Sequence, residues 1–156
     1  MTLQIRTPAT AEDWQVARCL IEEYAAALNV DLGFQNISHE LEHLAQEYAA
    51  PGGAFLLAEA AGSVVGCIGL RRFTDEAGEI KRLYIAPAAR GMGAGRLLAE
   101  AIIAESRRLG YARLLLDTLP FMQDAQRLYL SLGFRPIEAY RFNPVPGTAY
   151  LELSLG

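Results

Sequence analysis

The chain has 156 residues, a length that suits one domain able to bury a core without disulfides or a structural metal. Hydrophobic residues make up 52% and charged residues 21%, which excludes an intrinsically disordered chain. The formal net charge of -4 lacks the basic field of a nucleic-acid binder, so no nucleic-acid partner is expected.

In chain order, Thr2 to Arg6 alternates weakly and predicts a short strand. Trp14, Ala17, Ile21, Tyr24 and Leu28 recur at three- and four-residue spacing, the apolar stripe of a helix. Asn29 to Asn36, with Gly33, predicts a loop. A second helix is expected with Ser38 as its N-cap and Ile37, Leu41, Leu44 and Tyr48 as its stripe, ended by Pro51-Gly52-Gly53. The period then changes. Ala54 to Glu59 and Val64 to Phe73 predict strands joined at Ala61-Gly62, and after a turn at Thr74 to Gly78, Glu79 to Ile85 predicts a third, stopped by Pro87. This is an antiparallel meander. Met92 to Leu109 predicts a long helix closed by Gly110, and Ala112 to Leu116 an apolar strand. Pro120 is expected to open a short helix carrying Ala125, Leu128, Tyr129 and Leu132, closed by Gly133. Phe134 to Ile137 and Ala149 to Leu153 complete the sheet, with Asn143-Pro144-Val145-Pro146-Gly147 as a rigid loop between them. With no repeats or linkers, residues 1–156 read as a single α/β unit.

Cys19 and Cys67 stand far apart in no metal or redox spacing and read as free thiols in a reducing compartment. Met1 to Thr10 holds no long apolar run, and no stretch approaches the roughly 20 apolar residues of a membrane span. A cytoplasmic protein with no membrane partner is expected.

The segment Arg90-Gly91-Met92-Gly93-Ala94-Gly95-Arg96 lies between a strand and the long helix. A helix N-terminus exposes unpaired N–H groups and partial positive charge, and glycines let a phosphate approach that backbone. The segment is therefore suited to a phosphate or pyrophosphate. A P-loop would need Lys followed by Ser or Thr, and neither is present. A dinucleotide site would use Asp117 for the ribose, but Arg96 stands at the third glycine position and the preceding strands form a meander.

With its lead-in Glu79-Ile80-Lys81-Arg82-Leu83-Tyr84-Ile85-Ala86-Pro87, this segment resembles the GCN5-related N-acetyltransferase (GNAT) superfamily. The family's acetyl-CoA motif is met by Arg90, Gly93 and Gly95, and its second motif by Ala125, Leu128, Tyr129, Gly133 and Phe134. The resemblance covers nearly the whole chain. It implies a central mixed, mostly antiparallel sheet of about six to seven strands flanked by about four helices, and acetyl-CoA as co-substrate with no metal. It also implies that Gly91, Met92, Gly93, Ala94, Gly95 and Arg96 hold the CoA pyrophosphate through their N–H groups. Leu83, Tyr84 and Ile85 would pair with the pantetheine arm as a peptide pairs with a sheet edge. Met122 replaces an asparagine that many members carry, which removes a side-chain hydrogen bond to that arm. A homodimer is expected on the same ground.

Acetyl transfer from a thioester needs positioning above all. An alkyl amine is only about one part in 10³ neutral at pH 7, a deficit of roughly 4 kcal/mol, so a base must take its proton and an acid must protonate the thiolate. Tyr129 stands where the family places its thiolate-protonating tyrosine, and Glu79 where some members carry a catalytic glutamate. In the family the first two helices and the segment before the last strand shape the acceptor pocket, so Tyr24, Phe34, Tyr140, Phe142 and the Pro144-Val145-Pro146 loop would either contact the acceptor, a small amine or a peptide, or serve as core. Arg71, Arg72, Lys81 and Arg82 cluster near the central turn, either to attract an acceptor carboxylate or as a solvated face.

Two other functions are compatible with parts of the sequence. One is a CoA-binding sensor without catalysis, which the presence of Tyr129 disfavours. The other is a zinc-dependent hydrolase built on His39-Glu40-Leu41-Glu42-His43, a His-Glu-x-x-His pattern on a predicted helix. Its histidines share a face expected to point to solvent, and no extended third-histidine pattern follows.

Overall fold

The computed structural model describes residues 2–28 and 36–156. Its elements run β1 (Leu3–Arg6), α1 (Ala11–Leu28), α2 (Ile37–Glu42), α3 (Leu44–Glu47), β2 (Ala54–Ala60), β3 (Ser63–Arg72), β4 (Ala77–Ile85), a 3₁₀ turn at Pro87–Ala89, α4 (Ala94–Arg108), β5 (Arg113–Thr118), α5 (Gln123–Ser131), β6 (Arg135–Ile137) and β7 (Ala149–Ser154). The seven strands form one sheet in the order β1-β2-β3-β4-β5-β7-β6. Every pairing is antiparallel except β4 with β5.

The sheet has an apolar layer on each face. On one, Leu98, Ala99 and Ile102 of α4 pack over Leu56, Ile68, Leu70 and Ile80, with Leu114 and Leu116 of β5. On the other, Ala17, Leu20 and Ile21 of α1 join Leu44 and Tyr48 over Phe55, Leu57, Cys67 and Tyr84. The strands are buried on both faces, so β2 to β5 read as apolar runs more than as alternation.

Two features of β4 position the site. Its pairing with β5 covers only Ala77, Gly78 and Glu79, so from Ile80 onward the two parallel strands separate and the β5-facing edge of β4 is left without a ladder partner. Its register against β3 also shifts between Cys67 and Gly69, where Arg82 takes a left-handed φ of 64°. The irregularity moves the α4-facing positions from Ile80 to Leu83 and Ile85, instead of Arg82 and Tyr84. Consecutive Lys81 and Arg82 are both buried.

Three boundaries differ from expectation. Asn36, not Ser38, is the N-cap of α2, and the expected second helix is two, because His43 leaves helical geometry at φ -132°. The long helix starts at Ala94, since Gly93 at φ 84° ends the glycine segment in a left-handed conformation. The short helix starts at Gln123, with Pro120 in the turn that Met122 N–H closes onto the Leu119 carbonyl. The predicted loop, Asn36 excepted, and Phe34 with it, fall outside the described residues.

Candidate active site

The separation of β4 from β5 opens a small cavity of about 50 Å³. Tyr24, Lys81, Asp117, Tyr129 and Asn143 contribute to its lining. A wider groove of about 550 Å³ runs from there along Leu83, Tyr84 and Ile85 to Arg90, Gly91, Gly93, Ala94 and Gly95. The two spaces share Tyr24, Leu28, Leu83, Met122 and Ala125, so they meet between α1, β4 and the start of α5.

The glycine segment suits a pyrophosphate on its own geometry. Gly91 and Gly93 hold φ near +83°, where a side chain would be strained, and their Cβ directions are open. Gly95 has ordinary backbone geometry, and a Cβ there would meet protein only at ordinary contact distance, 3.6 Å from Leu128 Cδ2. Packing alone therefore does not call for glycine at 95, but clearance of the groove does. No side chain caps the N-terminus of α4, which leaves its first N–H groups to a ligand. Arg90 Nε donates to the Ile85 carbonyl at 3.1 Å, bracing the end of β4 against the loop. Met92 and Arg96 do not line the groove, and Arg96 bonds Ser131 Oγ across to α5.

Tyr129 is 4% exposed, on the cavity wall, with its ring edge-on to Phe134 at 5.2 Å. Burial raises its pKa well above that of a free tyrosine, with nearby Tyr24 adding to the shift, so the phenol stays protonated. Glu79 is 3% exposed and is the last β4 residue paired with β5. It sits at the point where the strands part, next to the cavity lining and not within it. Tyr140 donates to Glu79 Oε2 at 2.7 Å, and Arg141 reaches the same oxygen at 3.1 Å. Met122 caps α5, and its sulfur accepts from Thr118 Oγ1 at 3.7 Å.

Glu40 behaves differently from its sequence reading. Its carboxylate is fully buried and accepts two bonds from Arg82, at 2.8 and 2.9 Å, and one from Tyr48 at 2.9 Å. Arg71 lies 3.6 Å away and also contacts Glu47. The glutamate of the His-Glu-x-x-His pattern thus belongs to a core ion pair. His39 and His43 stack at 4.4 Å, and a ring nitrogen of His43 bonds the His39 carbonyl at 3.0 Å. Among the described residues, no three His, Cys, Asp or Glu side chains gather as a metal site. The basic cluster is not a solvated face either: Lys81 and Arg82 are buried, while Arg72 pairs at the surface with Asp75. An arginine within an otherwise apolar strand demands a buried acid, and that was the available signal for Glu40.

Of the candidate acceptor contacts, Tyr24 lines the junction of cavity and groove, Tyr140 holds Glu79, and Phe142 is 77% exposed. No helix among the described residues is long and apolar enough to cross a membrane.

Comparison with known proteins gives the family. An uncharacterised N-acetyltransferase of Schizosaccharomyces pombe is 37% identical, covering 97% of this chain and 92% of its own length. An IAA acetyltransferase of Azospirillum brasilense is 36% identical, covering 87% and 88%. A GNAT-family acetyltransferase structure from Staphylococcus aureus superposes with a TM-score of 0.79 at 21% identity, covering 99% of this chain and 100% of that one. A Salmonella typhimurium acetyltransferase solved with its cofactor acetyl-CoA gives 0.72 at 23% identity, covering 100% and 95%. The model of the acetyltransferase (GNAT) family matches residues 20–134, and with these relatives it shows that the chain belongs to that family.

Proposed function

We propose that the chain transfers an acetyl group from acetyl-CoA to a primary amine by direct attack in a ternary complex, with Glu79 as base and Tyr129 as acid. The observation that carries the reading is the junction of the glycine-lined groove with the Tyr129 cavity at the unpaired edge of β4. A pyrophosphate on the N–H groups of Gly91, Gly93, Ala94 and Gly95 directs the pantetheine arm along Leu83 to Ile85, where the β5-facing edge of β4 has no ladder partner. The thioester then reaches the point where β4 and β5 part.

Glu79, directly or through water, takes one proton from the ammonium. The freed amine nitrogen attacks the thioester carbonyl, the carbon–sulfur bond breaks, and the second amine proton passes to water as the amide forms. Tyr129 donates to the departing sulfur. The burial that holds the proton on Tyr129 also disfavours a bare thiolate in the same cavity, which favours its protonation. The reading extends to a cytoplasmic enzyme, supported by two free cysteines, and to a homodimer, which sedimentation of the purified chain tests.

Titration with acetyl-CoA, followed by mass analysis of products from an amine panel, tests the proposal. An acetylated amine supports it. Tight acetyl-CoA binding without any acetylated product replaces it with a sensor.

A further inference from the structure

Lys81 is a buried cation without an assigned role. It is 5% exposed, and its Nζ has no hydrogen-bond partner among the described residues. Three other cations lie around it, each already engaged. Arg82 and Arg71 face Glu40, and Arg141 faces Glu79. A buried ammonium without a protein acceptor is costly, and such groups mark places where a ligand completes the set. Lys81 also lines the cavity that holds Tyr129, and it lies two residues from Glu79 along β4, about 7 Å at strand rise.

We infer that Lys81 binds the carboxylate of the acceptor, so that the acceptor is a small amino acid whose amine and carboxylate are read together by Glu79 and Lys81. This rests on the acetyl-transfer reading and names the substrate class of the same site. A carboxylate supplies the acceptor that Nζ lacks, in a charge-assisted hydrogen bond. A cavity of about 50 Å³ has room for roughly three or four waters, the size of a carboxylate with its adjoining carbon. A polyamine would instead bring cations toward Arg71, Lys81, Arg82 and Arg141. Burial pushes the lysine down to about 8, Glu79 pulls it up, and Arg82, Arg141 and Arg71 push it down, so at pH 7 it is mostly charged and able to hold an anion. Bound carboxylate raises it again.

The test is free CoA release with saturating acetyl-CoA, comparing amino acids with their carboxamides and with spermidine, in wild type, Lys81→Met and Lys81→Gln. Wild type should prefer the acid over its carboxamide by at least about 30-fold in kcat/KM, expressed mainly in KM, because the amide oxygen can accept from Nζ but brings no charge to meet the ammonium and adds an NH2 beside it. In either variant that ratio should fall to within about threefold, with the KM for the acid no longer rising above pH 8. Replacing an unpaired buried ammonium by an apolar chain does not threaten the fold, and Lys81→Gln provides a second reading of the ratio. Equal turnover of acid and carboxamide in wild type overturns the inference and leaves the acetyl-transfer reading standing. So does a ratio that survives both variants while overall rates fall, which would give Lys81 a structural or proton-transfer role. CoA release with none of these amines contradicts both readings.

Discussion

Tyr140 donates its hydroxyl hydrogen to Glu79 at 2.7 Å, although 61 residues separate the two. The contact ties the segment after β6 to the strand that leads into the glycine loop. Arg141 reaches the same carboxylate oxygen, so one oxygen is held by two donors and the side chain's direction is fixed. Burial and then the Glu79 charge raise the pKa of Tyr140 far above that of a free tyrosine, so it remains a donor at every working pH. Tyr140 therefore positions a proposed catalytic carboxylate and need not touch the acceptor.

Glu79→Gln should lower kcat/KM by about 10² or more near pH 7, the usual share of a general base, and recover part of the loss toward pH 10 as the amine loses its own proton. A rate–pH profile of the variant checks this. A loss of the same size at every pH would remove Glu79 from the role of base.

Tyr140→Phe removes one of the two donors and keeps the ring that packs edge-on against Phe73 and Tyr150. The expected outcome is a fall in kcat of about tenfold, the size of one charge-assisted hydrogen bond at the low end, with acetyl-CoA affinity unchanged. Steady-state kinetics alongside calorimetric titration separates the two. Weaker cofactor binding at unchanged kcat would contradict a positioning role.

Gly95→Val places its branches in the groove, while its Cβ makes only ordinary contact with Leu128. Acetyl-CoA affinity should fall by about 10² while the melting temperature moves by no more than a few degrees, consistent with a surface change of under about 1 kcal/mol. Calorimetry and thermal unfolding on one preparation check it. Unchanged affinity would mean that the pyrophosphate does not lie along this segment.

Glu40→Ala should destabilise the fold by about 3–5 kcal/mol, because it strands the buried Arg82 guanidinium. Burial acts to raise the Glu40 pKa, but the Arg82 hydrogen bonds and charge, with Arg71 and Tyr48, outweigh it and leave it lowered. A depressed folded value gives stability that is fully present above the unfolded carboxylate value near ~4.3 and is lost as pH falls through the folded one. Melting temperature measured from pH 7 down to pH 3 should thus drop more steeply in wild type than in Glu40→Gln.

The order of elements, the meander and the glycine loop were legible because each has a local signature: apolar runs bounded by turn residues, Ala61-Gly62, and glycines next to a helical stripe. Tyr129 was legible as a position in a motif, and the structure adds that it lines the cavity at the strand separation. Glu40 was read only as the glutamate of the His-Glu-x-x-His pattern; its core partner Arg82 lies 42 residues away, and that pairing has no local trace beyond the arginine itself. Burial of Lys81 and Arg82 follows from cover on both faces of the sheet, which the residues of β4 alone do not record. The hold of Tyr140 on Glu79 joins the segment after β6 to β4, 61 residues away, and has no local trace.

Amine-dependent release of free CoA from acetyl-CoA, in wild type and Tyr129→Phe, bears most directly on the proposed transfer. Release that requires the amine, and that falls by about 10² in the variant while acetyl-CoA binding persists, is the predicted result. Equal rates in the two proteins, or no amine-dependent release from a wild-type chain that binds acetyl-CoA, would contradict it.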